Sequence, residues 1–312
     1  MVQSPKSRFP FFGTASEVQS KAENVAGQVP KMLMAAHTAA ASILSGEHTR
    51  NRAGQGERFW QFREYTTHDR PQDIDWRQSA KTDRIYVREK EKQSSQTLLV
   101  WVNDGDGMNW RGSEDVPTKR AVAEVIALAV AILASHSGEM FRLFKQGARP
   151  ARTDRAIETL AETLVNDREN HASLQSLFST AVPDRCIPVL VGDFLLPVED
   201  LDMLLSGFAE KCRGGALVQV LDPAEINLPY QGRVEFASAD GANREVVENV
   251  SAIRQTYQDR LAAHNEKLQK LAQKYNWNFY QMTTDQDPAL LVRELWMALA
   301  LETQITQQGG GE

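Results

Sequence analysis

Apolar residues recur along this chain with two different periods. In the C-terminal two thirds, short apolar runs alternate with longer segments of helical spacing. Residues 97–102 (TLLVWV) form a β-rich run of the kind expected of a parallel strand buried on both faces. Residues 119–135 are apolar nearly all round, which predicts a buried helix. The same reading predicts strands over 140–144, 187–191, 216–221 and 277–280. Helices are expected over 153–165, 198–212, 251–275 and 288–303. Residues 234–247 carry Asp240-Gly241, a hairpin signal. Strands alternating with helices argue an α/β fold with a mainly parallel sheet and flanking helices. Upstream, Val29, Met32, Leu33, Ala36, Ala40, Ile43 and Leu44 recur at helical spacing and predict an N-terminal helix over 29–45.

This divides the chain into four parts. Residues 1–25 read as a flexible N-terminus. Residues 26–94 hold the helix and a charged, aromatic segment. Residues 95–305 form the α/β domain, and 306–312 a flexible tail. Composition adds constraints. Hydrophobic residues make up 42% of the chain, enough for a sizeable core. The net charge of −6 argues against a general nucleic-acid binder. The longest apolar run, residues 121–134, is too short to span a bilayer and contains Glu124. No export signal is evident at the N-terminus. Cys186 and Cys212 lack zinc-ligand spacing and read as reduced packing residues of a cytoplasmic protein.

Residues 46–89 are the densest part of the sequence. They set Phe59, Trp60, Phe62, Tyr65, Trp76 and Tyr86 among many charges. Over residues 46–92 there are 11 Lys+Arg against 9 Asp+Glu, an excess of only two positive charges. That balance suits ion pairs laid over aromatic faces better than a phosphate-binding groove. The pattern resembles the signature of the bacterial domain of unknown function 58 family. It runs through Gly46-Glu47-His48, Gly54-Gln55-Gly56, Phe59, Arg63-Glu64-Tyr65, Asp69, Asp73-Ile74-Asp75-Trp76, Ser79-Ala80 and Tyr86-Val87-Arg88. The α/β domain after it is similar to a von Willebrand factor A-type fold. The resemblance implies a non-enzymatic adaptor that acts with a MoxR-type AAA+ ATPase on a client protein. Arg63, Tyr65, Asp69, Arg70, Asp75, Trp76, Arg77 and Arg88 are then the expected partner-binding residues, either as packing or as a docking face.

A-type domains often hold Mg²⁺ on a loop reading Asp-x-Ser-x-Ser, because a hard cation needs oxygen ligands. Aligned on Met108, the corresponding positions here are Asn103, Gly105 and Gly107. Each change removes ligand chemistry, so the resemblance implies a degenerate metal-ion-dependent adhesion site and no obligatory cofactor. Thr153 matches the second-loop threonine, or else is a helix cap. Asp193 matches the third-loop aspartate, or else is a strand-end turn residue. Asp104 and Asp106 still offer carboxylates to a cation.

The same Asp104-x-Asp106 pair, following an apolar strand, resembles the first motif of Mg²⁺-dependent haloacid-dehalogenase-type phosphatases. Asp104 would be the nucleophile and Asp106 the acid/base. The second acid of such enzymes is missing close to Asp193. No P-loop, HExxH or GxSxG motif occurs, so the chain has no P-loop of its own to hold ATP.

Overall fold

The computed structural model describes residues 15–47, 59–66, 69–82, 84–90, 97–166, 180–184, 186–212, 214–238 and 242–308. The chain forms two compact units, one of residues 1–45 and 96–312, the other of residues 46–95.

The larger unit is built on five parallel strands: β3 (Thr97–Val102), β4 (Met140–Leu143), β5 (Cys186–Gly192), β6 (Gly215–Leu221) and β9 (Trp277–Thr283). Their order is β4-β3-β5-β6-β9. Among the described residues its helices are α1 (Ala15–Glu47), α3 (Lys119–His136), α4 (Asp154–Asn166), α5 (Val198–Ala209), α6 (Pro223–Asn227), α7 (Val250–Lys274) and α8 (Pro288–Gln308). Strand residues alternate between two cores, as the period of two requires. Leu98, Val100 and Val102 face a core with α1, α3, α4 and α8. Leu99 and Trp101 face a second core, filled by Leu201, Leu205 and Phe208 of α5 and Leu268 and Leu271 of α7. Among the described residues, no helix is long and apolar enough to cross a membrane.

Most expected elements are present within a few residues. Helix α1 starts at Ala15, well before residue 29, and runs through Pro30. Strands β7 (Val234–Ala237) and β8 (Arg244–Val247) pair antiparallel, while the Asp240-Gly241 turn lies outside the described residues. The short helix α6 has no apolar period to announce it. One expectation is corrected: Cys186 and Cys212 are joined by a disulfide, with Cα atoms 5.5 Å apart. Both are buried in the second core, where the start of β5 meets the segment after α5.

The smaller unit pairs β1 (Phe59–Glu64) with β2 (Tyr86–Lys90), antiparallel. β1 was not expected, because charges interrupt its alternation. Between the strands lie a 3₁₀ turn, Pro71–Asp73, and the single-turn helix α2, Trp76–Ser79. Asp75 caps α2 by accepting from Gln78 N at 3.0 Å. Ser79 Oγ donates to Asp75 O at 2.8 Å and accepts from Tyr86 N at 2.8 Å, tying the turn to β2.

Arg63 donates to both oxygens of Asp69, at 3.0 and 2.7 Å. Thr66 adds its N–H and hydroxyl to the same carboxylate. The Arg63 guanidinium and these two donors hold the Asp69 carboxyl well below the usual carboxylate range. Because the folded value is depressed, the clamp's contribution is present above the ordinary carboxylate value and is lost as pH falls below it. A ¹³C carboxyl titration should therefore give Asp69 a midpoint well below that of an unpaired aspartate. An ordinary midpoint would show that the clamp does not form.

Candidate functional site

In an open parallel sheet, ligands gather beyond the carboxyl ends of the strands, where the strand order reverses. Here the chain runs from β3 outward to β4 and then returns to β5 on the other side of β3. The loops after β3 and β5 flank that reversal. Asn103 N donates to Val191 O at 2.8 Å, which fixes the first loop against the end of β5. Gly192 makes room for this, since a Cβ there would stand 2.8 Å from the Asn103 Cβ.

The aligned positions Asn103, Gly107 and Asp193 converge. Asn103 Nδ2 donates to Asp193 Oδ1 at 3.1 Å, and Asn103 Oδ1 accepts from Gly105 N at 3.1 Å. A Cβ on Gly107 would lie 3.3 Å from Asp193 Oδ2. The 3₁₀ turn Asp106–Asn109 then buries Met108 completely.

A residue the sequence reading passed over completes the group. Lys119, the first residue of α3, is 1% exposed. Its Nζ donates to Asp193 Oδ2 at 3.1 Å and also to Glu225 Oε1. Glu225 belongs to α6, and its other oxygen accepts from Asp222 N at 2.9 Å. Asp222 N-caps that helix through Ala224 N at 2.8 Å and also accepts from Gly112 N at 2.9 Å. Gly112 is packed so tightly that a Cβ would stand 2.5 Å from Ala224 Cβ. The loop between β3 and α3 is thereby fastened to the loop after β6. Asp-Pro-Ala-Glu at 222–225 is a capping-box sequence, the local signal that would have located this acidic pair.

The backbone after β5 is strained. Phe194 is fully buried with φ 48°, in the left-handed region that non-glycine residues avoid. Two side chains hold it: His264 Nε2 bonds to Phe194 O at 2.8 Å, and Gln219 Nε2 donates to Asp193 O at 2.9 Å. Gln281 donates to Gln219 Oε1 at 2.6 Å and orients that amide.

The neighbouring tyrosines register the local field. Burial, and then the Asp222 and Glu225 carboxylates, push the Tyr230 hydroxyl up; burial and then Glu225 do the same to Tyr257. With one ammonium against Asp193, Glu225 and Asp222, the cluster carries an excess of two negative charges.

The remaining expected site residues lie apart from this cluster or serve other contacts. Asp104 is buried, and its carbonyl accepts from Arg120 Nη1 at 3.5 Å. Asp106 opens the 3₁₀ turn and is half-buried. Thr153 is exposed and accepts from Ala156 N at 3.3 Å, at the start of α4. Among the described residues, no group of three or more His, Cys, Asp or Glu side chains is placed to hold a metal ion. In the smaller unit, Arg63, Asp69 and Asp75 are engaged internally. Trp76 is 65% exposed, Arg70 and Arg77 are exposed, and Tyr65 is half-buried. The side chain of Arg88 lies outside the described residues.

Residues 61–267 match the model of a family described as "Protein of unknown function DUF58". The chain belongs to that family. The uncharacterized protein Rv1480 of Mycobacterium tuberculosis is 25% identical over 262 residues, covering 78% of this chain and 80% of the relative. A solved structure of an aerotolerance-related membrane protein from Bacteroides fragilis is similar to 66% of the DUF58 chain and 100% of its own, at 11% identity and TM-score 0.41. The VWA domain of SpRpn10 is similar to 64% of the chain and 95% of its own, at 10% identity and TM-score 0.31. The fold assignment rests on the architecture itself. A parallel sheet with helices on both faces is the α/β arrangement expected of this chain.

Proposed function

We propose that this DUF58 protein is a non-enzymatic binding adaptor. It acts with a MoxR-type AAA+ ATPase on a client protein, and its A-type metal site is degenerate. The observation that carries this reading is the state of Asp193. One oxygen takes an amide N–H from Asn103, and the other takes the Lys119 ammonium. Those contacts occupy the carboxylate that would otherwise serve a cation, and the reading therefore favours binding over chemistry. Docking is expected on the exposed side chains of the smaller unit, where Trp76 stands out with Arg70 and Arg77. Large aromatics and arginines dominate protein interfaces when they become buried.

The test uses the purified full chain and a MoxR-type ATPase from the same genome. The expected result is a complex, with a change in ATP turnover on addition of the adaptor. Trp76→Ala should weaken that complex about tenfold or more, the scale of an interface hot spot. Absence of both binding and any effect on turnover would overturn the pairing. Mg²⁺-dependent hydrolysis of an aryl phosphate that disappears in Asp104→Asn would instead establish a phosphatase.

A further inference from the structure

We infer that the ammonium of Lys119 is the resident cation of this face, standing in for the divalent metal that A-type domains commonly hold. The inference rests on the degenerate-site half of the proposed function and is independent of the ATPase. Lys119 reaches in from the first turn of α3, and its charged end is buried between a carboxylate of the loop after β5 and one of α6. Asp193 Oδ2 and Glu225 Oε1 converge on that one nitrogen. Both parent side chains are largely shielded, at 13% and 16% exposure.

A hard divalent cation requires a shell of oxygen ligands. At this position it would meet an ammonium and an amide N–H, which are donors and cannot be ligands. Gly105 and Gly107 supply no hydroxyl. The lysine is tethered to the fold, so it cannot dissociate. The arrangement of the loops after β3, β5 and β6 is then constitutive and independent of cation concentration.

The same geometry defines a latent site. If the ammonium is removed, Asp193 Oδ2 and Glu225 Oε1 still face one vacated point. Serine at position 119 removes the ammonium and leaves room for water ligands. Hard oxygens around a small space of double negative charge suit Mn²⁺ or Mg²⁺. Lysine thus excludes the metal both by occupying its place and by neutralising part of its charge.

The experiment measures Mn²⁺ binding by electron paramagnetic resonance, and thermal unfolding with and without Mn²⁺, on the full chain. Wild-type protein should show no saturable Mn²⁺ site, and its unfolding midpoint should not move. Lys119→Ser should unfold at lower temperature in chelator, bind about one Mn²⁺ per chain, and recover about half or more of the lost midpoint. Saturable binding to wild-type protein that is lost in Asp193→Asn would overturn the inference. So would a Lys119→Ser protein that folds but ignores the metal.

Should Lys119→Ser fail to fold, the neutral variant Lys119→Met/Asp193→Asn/Glu225→Gln decides the matter. It should be markedly more stable than Lys119→Met alone, because no charge remains to be balanced. Equal destabilisation of the two would mean that Lys119 acts by packing and would overturn its role as a cation.

Discussion

Lys119→Met is expected to destabilise the larger unit by about 3–5 kcal/mol, the usual cost of removing one partner from a buried ion pair. Methionine keeps the apolar stem and fills similar space, so little of this loss would come from a cavity. The loss arises because Asp193 and Glu225 keep their charges while the ammonium that bonds both is gone. All three side chains are at least four-fifths buried, so solvent screening offers little relief. Equilibrium urea unfolding measures the change directly. A loss below about 1 kcal/mol, typical of exposed pairs, would show that water reaches the cluster. Hydrogen exchange should also show early opening of α6, whose Glu225 both accepts from Lys119 and closes the cap at Asp222 N.

The second large effect is expected one residue further along α3. Arg120 Nε donates to Glu124 Oε1 at 3.0 Å, with side-chain exposures of 3% and 0%. Its two terminal nitrogens reach Asp104 O and Leu164 O, at 3.5 and 3.4 Å. Arg120→Leu leaves a buried carboxylate without its guanidinium and is expected to cost about 3–5 kcal/mol. Replacing both partners, as Arg120→Met/Glu124→Leu, should return most of that stability, because neither charge remains to be desolvated. The double variant still lacks the links from α3 to the loop after β3 and to the end of α4. Amide exchange in residues 103–109 should therefore remain faster than in wild-type protein even where global stability recovers. A double variant as unstable as Arg120→Leu would mean that the carbonyl contacts, not the ion pair, carry the energy.

These two lysine and arginine positions also show where reading the sequence stops. The run at 121–134 announced a helix buried on all sides, and α3 is that helix. Its first two residues are charged, and local pattern places charges at helix ends in solvent. Burial of Lys119 and Arg120 depends on carboxylates that lie 74, 106 and four residues away. Nothing in the spacing along the chain brings Asp193 and Glu225 together. The parallel sheet does so, by setting the ends of β3, β5 and β6 side by side. Thr153 illustrates the converse. Its role at the start of α4 is local, and the sequence already offered it.

The aromatic segment divides in the same way. Its ordered matches identified the family, because residue types at fixed spacing are a property of the chain alone. They did not separate residues used internally from those left outside. Arg63 and Asp69 are six apart and clamp one another, and Asp75 caps α2. Trp76, beside Asp75, faces solvent. The bonds from Asp75 N to Tyr86 O and from Tyr86 N to Ser79 Oγ hold this turn on β2, and Trp76 is left exposed.

By itself, then, the sequence determined the α/β class, the order of most elements and the family, because periodicity and motif spacing are local quantities. It also placed Asn103, Gly105 and Gly107 on the loop at 103–108. Only the tertiary structure decided which side chains meet that loop. A buried charge can be tolerated only beside its partners, and partners drawn from the loop after β5, from α3 and from α6 meet only after the sheet has assembled.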